Sequence, residues 1–126
     1  MSNQVLDYFF ERFKGICLGN LVGKNFLELG SSNELCPLCL SIIAKLNGAN
    51  LCVSVDTNTW KEEHLYNSIK CLLEYIKSNP EKFIYYEYSV NDFINRLNSL
   101  ESSLLSLNNT NKWFEKNNIY FIPLSY

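Results

Sequence analysis

At 126 residues, with 47% hydrophobic and 19% charged residues, the chain is long enough for one buried core and too apolar to stay disordered. A formal net charge of −2 excludes the basic surface that a nucleic-acid binder needs. Residues 1–55 hold four acids and four bases, residues 56–115 nine acids and six bases, so the mild acidity lies in the C-terminal half, where it suits a basic partner.

"MSNQVLDYFFERF" opens the chain without a basic segment, and Asp7 and Glu11 interrupt its apolar run, so no signal peptide is expected. Ser2 or Asn3 caps a predicted first helix whose core face is Val5, Leu6, Phe9, Phe10 and Phe13. Gly15, Gly19 and Gly23 then mark a turn or irregular strand. "NFLEL" (25–29) is a predicted strand and "GSSN" (30–33) a loop. "CPLCLSIIAKLN" (36–47) is a predicted helix stopped by Gly48, and "LCVSV" (51–55) a buried strand closed by Asp56.

Thr59 and Glu62 have the spacing of a capping box, and Leu65, Ile69, Leu72, Leu73 and Ile76 form the buried stripe of the helix that follows, up to "SNP" (78–80). "FIYYEY" (83–88) is a predicted strand by its aromatic content. Val90, Phe93, Ile94, Leu97, Leu100, Leu104 and Leu107 repeat as a second long helix, broken at "NNTN", and "IYFIPL" (119–124) is a last strand. The expected fold is a single domain over 1–126, α/β or α+β, with about four short strands alternating with helices after an N-terminal helix. The longest uncharged apolar run, "LCPLCLSIIA", is about half a bilayer span, so no membrane segment is expected. Five cysteines at irregular spacing do not make a disulfide framework, and the expectation is a cytoplasmic protein with reduced thiols.

Cys36-Pro37-Leu38-Cys39 is the sharpest motif. At a helix start, free amides and the helix dipole stabilise a thiolate on the first cysteine, and proline fits the first turn because its missing N–H costs nothing there. The order strand, loop, Cys-Pro-x-Cys, helix, strand resembles thioredoxin- and glutaredoxin-type oxidoreductases over about thirty residues. That resemblance implies Cys36 as nucleophile and Cys39 as resolving thiol. Those families also carry a cis-proline loop and a closing hairpin, for which Pro123 leaves no room. As a zinc knuckle the pair needs two more ligands, but Cys17, Cys52, Cys71 and His64 stand alone, and His64 and Cys71 lie about 10 Å apart along one helix. No metal or other cofactor is expected. "NFLELGSSNELC" with "LCVSVD" looks like the first strand and loop of a Rossmann-type methyltransferase, with Asp56 in the ribose-binding place. A single glycine, Gly30, makes the stretch an ordinary strand-to-helix turn instead. His64, the single histidine, is expected at the boundary of the core against Trp60.

Tyr85, Tyr86, Tyr88, Tyr120 and Tyr126, with Trp113 and Phe114, suit a core or, on an exposed strand face, an interface. With no assembled catalytic set, the sequence favours a small protein-binding module of the kind that bacterial immunity proteins and antitoxins represent. Its expected partner is a toxin domain, basic and nuclease-like, contacted through Glu62, Glu63, Tyr86, Glu87, Tyr88 and Asp92. The alternative is a thiol–disulfide oxidoreductase or redox sensor using Cys36 and Cys39.

Overall fold

The computed structural model describes residues 21–29, 38–56, 61–84 and 90–123, together with Asp7 and Glu11, which are both helical. Among these residues the fold is mixed α/β: a three-stranded parallel sheet and the helices packed on it. Chain order is β1 (Phe26–Leu29), α1 (Cys39–Leu46), β2 (Cys52–Asp56), α2 (Glu62–Ser78), a 3-10 turn (Pro80–Lys82), α3 (Val90–Leu107), α4 (Thr110–Asn117) and β3 (Ile119–Pro123). The strands lie in the order β1-β2-β3, with Phe26 beside Cys52 and Cys52 beside Ile119. Parallel neighbours need crossovers. Among the described residues, one contains α1 and the other contains α2, α3 and α4.

Alternation along β2 buries Cys52, Ser54 and Asp56 and leaves Val53 and Val55 half-buried. α1 packs over all three strands and α4 over β3, while α2, α3 and α4 pack on one another behind them. The core runs continuously through Ile42, Ile43 and Leu46 of α1, Ile69, Leu72, Leu73 and Ile76 of α2, Phe93, Leu97, Leu100 and Leu104 of α3, Trp113 of α4 and Ile119 of β3. The stripe expected on α2 is buried throughout, Leu65 included. Tyr75 of that helix is also buried, edge-on to Phe83, and its hydroxyl donates to Asp7.

Several expectations are corrected. α2 starts at Glu62, with Lys61 in extended conformation at its cap and no side-chain capping bond. Glu62 is therefore the first helical residue and not the third, so the capping-box geometry is absent, and Thr59 lies outside the described residues. Phe83 and Ile84, the start of the expected strand 83–88, are not in a strand, because the 3-10 turn delivers Phe83 into the core as a bend residue. Three strands are therefore described where about four were expected, and Tyr85–Ser89 lie outside the described residues, as does most of the segment in which an N-terminal helix was expected. Val90 begins α3 exposed and not on its core face, and His64 is exposed on α2.

α4 is an addition. Asn108 takes a left-handed turn (φ 46°), and the Asn109 side chain then accepts the Lys112 amide at 2.9 Å, so the "NNTN" that ends α3 also caps a new helix. Among the described residues no helix is long and apolar enough to cross a membrane.

Candidate functional site

Among the described residues, several places on this frame gather side chains able to do something. The first is the carboxyl end of the sheet, where parallel α/β folds bind ligands. Glu28 is on the inner face of β1, partly buried. Its carboxylate accepts the backbone amide of Ser41 (3.2 Å) and the Ser54 hydroxyl (3.5 Å), and the Leu40 amide also reaches it. The buried hydroxyls of Ser41 and Ser54 are 2.6 Å apart. Buried Asp56 closes β2 at the same end. Burial pushes the Glu28 carboxyl above its ordinary range. The three hydrogen bonds oppose that rise, and the charge of Asp56 adds to it. The result is a carboxyl that holds its proton closer to neutral pH than a solvated glutamate, coupled to a two-hydroxyl relay.

This cluster changes the reading of the Cys-Pro-Leu-Cys motif. α1 begins at Cys39, and Leu38, fully buried, stands before it in the left-handed region (φ 75°). A leucine held there stores strain on the order of 1 kcal/mol. Cys36 and Pro37 lie outside the described residues. The amides of Leu40 and Ser41, which the sequence offered to a Cys36 thiolate, are turned instead to the Glu28 carboxylate. The Glu28 carboxyl already occupies the positive end of the helix.

The second place is the far face of the sheet. Cross-strand rows Leu27–Val53–Tyr120 and Leu29–Val55–Ile122 make a patch without a charge. Leu27 is 60% exposed, Leu29 75%, Tyr120 37% and Ile122 45%, so the outer residues of both rows stand open. All-parallel sheets are ordinarily covered on both faces. Among the described residues the helices cover one.

The third is a cleft of about 430 Å³ lined by Glu62, Glu63, Tyr66, Asn108 and Thr110. The buried Thr110 hydroxyl has no hydrogen-bond partner. Of the residues expected to bind a partner, the structure thus brings Glu62 and Glu63 together, exposed in the first turn of α2. Asp92 is exposed in the first turn of α3 and does not line that cleft. Tyr86, Glu87 and Tyr88 lie outside the described residues.

Of the other thiols, Cys52 is fully buried, with its pKa pushed up to about 11 by burial against the opposing charge of Lys45, so it is an inert packing residue. Among the described residues no group of three or more His, Cys, Asp or Glu side chains converges on a common point. Asp56 is buried at its strand end. Trp113 and Phe114 are core, whereas Tyr120 belongs to the open face.

Sequence reasoning passed over Glu28, Ser41 and Ser54. The available signal was β-alternation: in "FLEL" a core-facing Phe26 forces Glu28 to the same side. Comparison of the chain with protein-family models, with curated proteins and with solved structures found no match.

Proposed function

We propose that this chain is a protein-binding module whose partner covers the open face of the sheet. The observation that carries the proposal is the uncharged double row Leu27–Val53–Tyr120 and Leu29–Val55–Ile122, exposed on a parallel sheet. Three strands span about 10 Å, the width of one helix laid across them. An apolar patch of this kind on a parallel sheet marks an interaction site. The acidic first turn of α2 suits a basic partner, and within this proposal the partner is a toxin domain of the class that immunity proteins and antitoxins neutralise, with Glu62, Glu63 and Asp92 contributing steering charge.

The test places a photo-crosslinking amino acid at Leu29, and as a control at Glu74 on exposed α2, in the native host. A discrete adduct from position 29 alone is expected, identified by mass spectrometry and remade with the purified partner. The double substitution Leu29→Lys/Ile122→Lys should weaken that complex about a hundredfold, because two charges would have to be desolvated, while far-ultraviolet dichroism stays unchanged. Adducts from both positions alike, or full binding by the double variant, would refute the reading.

A second reading, a thiol–disulfide oxidoreductase or redox sensor using Cys36 and Cys39, is favoured by one observation. The β1–α1–β2 unit puts the start of α1 at the carboxyl end of the sheet, beside a carboxyl able to exchange a proton. It predicts that iodoacetamide labels Cys36 first at neutral pH. Labelling of Cys17, Cys36, Cys39 and Cys71 at one slow rate would end it.

A further inference from the structure

Asn47 and Gly48 form the single Asn-Gly pair of a sequence that holds seventeen asparagines. Such a pair is chemically labile. The backbone nitrogen of the second residue can attack the side-chain carbonyl carbon of the first, and glycine has no Cβ to hinder it. The fold holds this pair in a geometry that blocks the attack. Asn47 caps the end of α1 with ψ 14°, and Gly48 follows with φ 100°. At that ψ the Gly48 nitrogen nearly eclipses the Asn47 backbone nitrogen. Ring closure needs it over Cβ instead, a rotation of about 120° at a tetrahedral Cα.

The groups that would have to move are tied down. The Asn47 backbone N–H donates to the Ile43 carbonyl at 3.0 Å and to the Ala44 carbonyl at 3.1 Å. Its side-chain nitrogen, the leaving group of the reaction, donates to the Ile43 carbonyl at 2.9 Å and across the core to the Phe83 carbonyl at 2.8 Å. The Gly48 N–H must lose its proton before the nitrogen attacks, and it donates to the Lys45 carbonyl at 3.0 Å. The Gly48 carbonyl accepts the Gly23 N–H at 3.1 Å, which fixes the far side of the residue. Asn47 is 1% exposed, so the water that completes the reaction is kept away as well. Rotation into the reactive geometry breaks these bonds together, and that requires the end of α1 to part from the Phe83 bend.

We propose that Asn47–Gly48 is an unfolding-gated modification site: the chain deamidates itself there only while this junction is open, and the product closes again far less readily. In the open chain water takes the Gly48 amide proton and the nitrogen bonds to Asn47 Cγ. The Cγ–Nδ2 bond breaks, and the departing nitrogen takes up a proton and leaves as ammonia. Water then opens the cyclic imide at one carbonyl or the other, giving aspartate or isoaspartate at position 47. Aspartate faces a buried carboxylate toward two carbonyl oxygens. Isoaspartate adds a carbon to the main chain between α1 and Gly48 and so displaces the Gly48 bonds to Lys45 and Gly23. A converted molecule therefore opens more often, and the change is irreversible, so the pair limits the lifetime of any molecule that opens here. The site is independent of the protein-binding reading.

The experiment ages the full chain at neutral pH, in buffer and in guanidinium chloride, and follows every asparagine by peptide mass spectrometry. In guanidinium chloride residue 47 should convert first, with isoaspartate and released ammonia both detected. In buffer its conversion should be at least about a hundredfold slower, and the ratio of the two rates should equal the open fraction that hydrogen exchange reports at the Gly48 amide. Once denaturant is removed, intact molecules should refold and resist protease, while converted molecules in the same tube are digested faster. Equal rates in buffer and denaturant would overturn the gate. Another asparagine reacting first in denaturant would overturn the site, and equal protease resistance of converted and intact molecules would overturn the consequence for folding.

Discussion

Trp113→Ala is expected to remove about 3–5 kcal/mol of stability, the cost of truncating a large ring that has no route to collapse. Trp113 is fully buried where α4 meets α3, with Phe114 at 5.7 Å between ring centroids. Its indole N–H donates to the Leu100 carbonyl at 2.9 Å. That carbonyl also accepts the Ser103 hydroxyl at 3.1 Å, so the loss comes mainly from the cavity and only slightly from an abandoned acceptor. A domain of this size holds about 5–15 kcal/mol in total, so the variant should sit near the edge of folding at 37 °C. Urea denaturation followed by circular dichroism measures the difference. A loss under about 1 kcal/mol would mean that α4 is not part of the cooperative core, and with it that β3 is anchored by something other than α4.

Asn47→Asp should be more damaging than Asn47→Ala, although it changes the volume least. Asn47 is buried just after α1, and its amide nitrogen donates both protons, to Ile43 O at 2.9 Å and to Phe83 O at 2.8 Å. It ties the end of α1 to the bend that follows α2. Alanine forfeits the two bonds, worth about 1–3 kcal/mol together. Aspartate turns a double donor into an anion facing two carbonyl oxygens, a buried and repelled charge costing about 3–5 kcal/mol. The sign in pH follows. The introduced carboxyl has a folded-state pKa above its unfolded value, so the native state binds more protons and the aspartate variant regains stability as pH falls toward the unfolded pKa. Equal midpoints for the two variants at neutral pH, with no recovery in acid, would show that Asn47 fills space and does not act as a donor.

Both predictions rest on contacts between elements far apart in the chain, and the sequence shows these unevenly. The stripe Leu65, Ile69, Leu72, Leu73 and Ile76 was legible because it repeats at 3.6 residues, and every member is buried. β1, β2 and β3 were legible as runs, to within a residue or two of the observed ends. α4 was not. "NNTNKWFEKNN" is dominated by residues that stop helices, and only the Asn109 cap, with Trp113 and Phe114 turned to the core, makes it one.

The candidate sites divide in the same way. Glu62 and Glu63 could be named from charge alone, since a helix N-terminus favours acids wherever it lies. The open face could not, because Leu27 and Leu29 look like core in isolation. Alternation says that they share a face and is silent on which face the helices take. Tertiary packing placed α1 over Phe26 and Glu28, so the carboxylate went inside and the leucines outside. A cleft of about 480 Å³ is lined by both Lys45 and Arg96, fifty-one positions apart, and no local pattern encodes that meeting.

By itself the sequence determined the type of β1, α1, β2, α2, α3 and β3 and the buried stripe of α2, because hydrophobic period is a local property of the backbone. Only the tertiary structure decided which sheet face is covered, where the buried carboxyl sits and which cations share a cleft. Those outcomes depend on how distant surfaces compete to be buried, and no single stretch of this chain contains that competition.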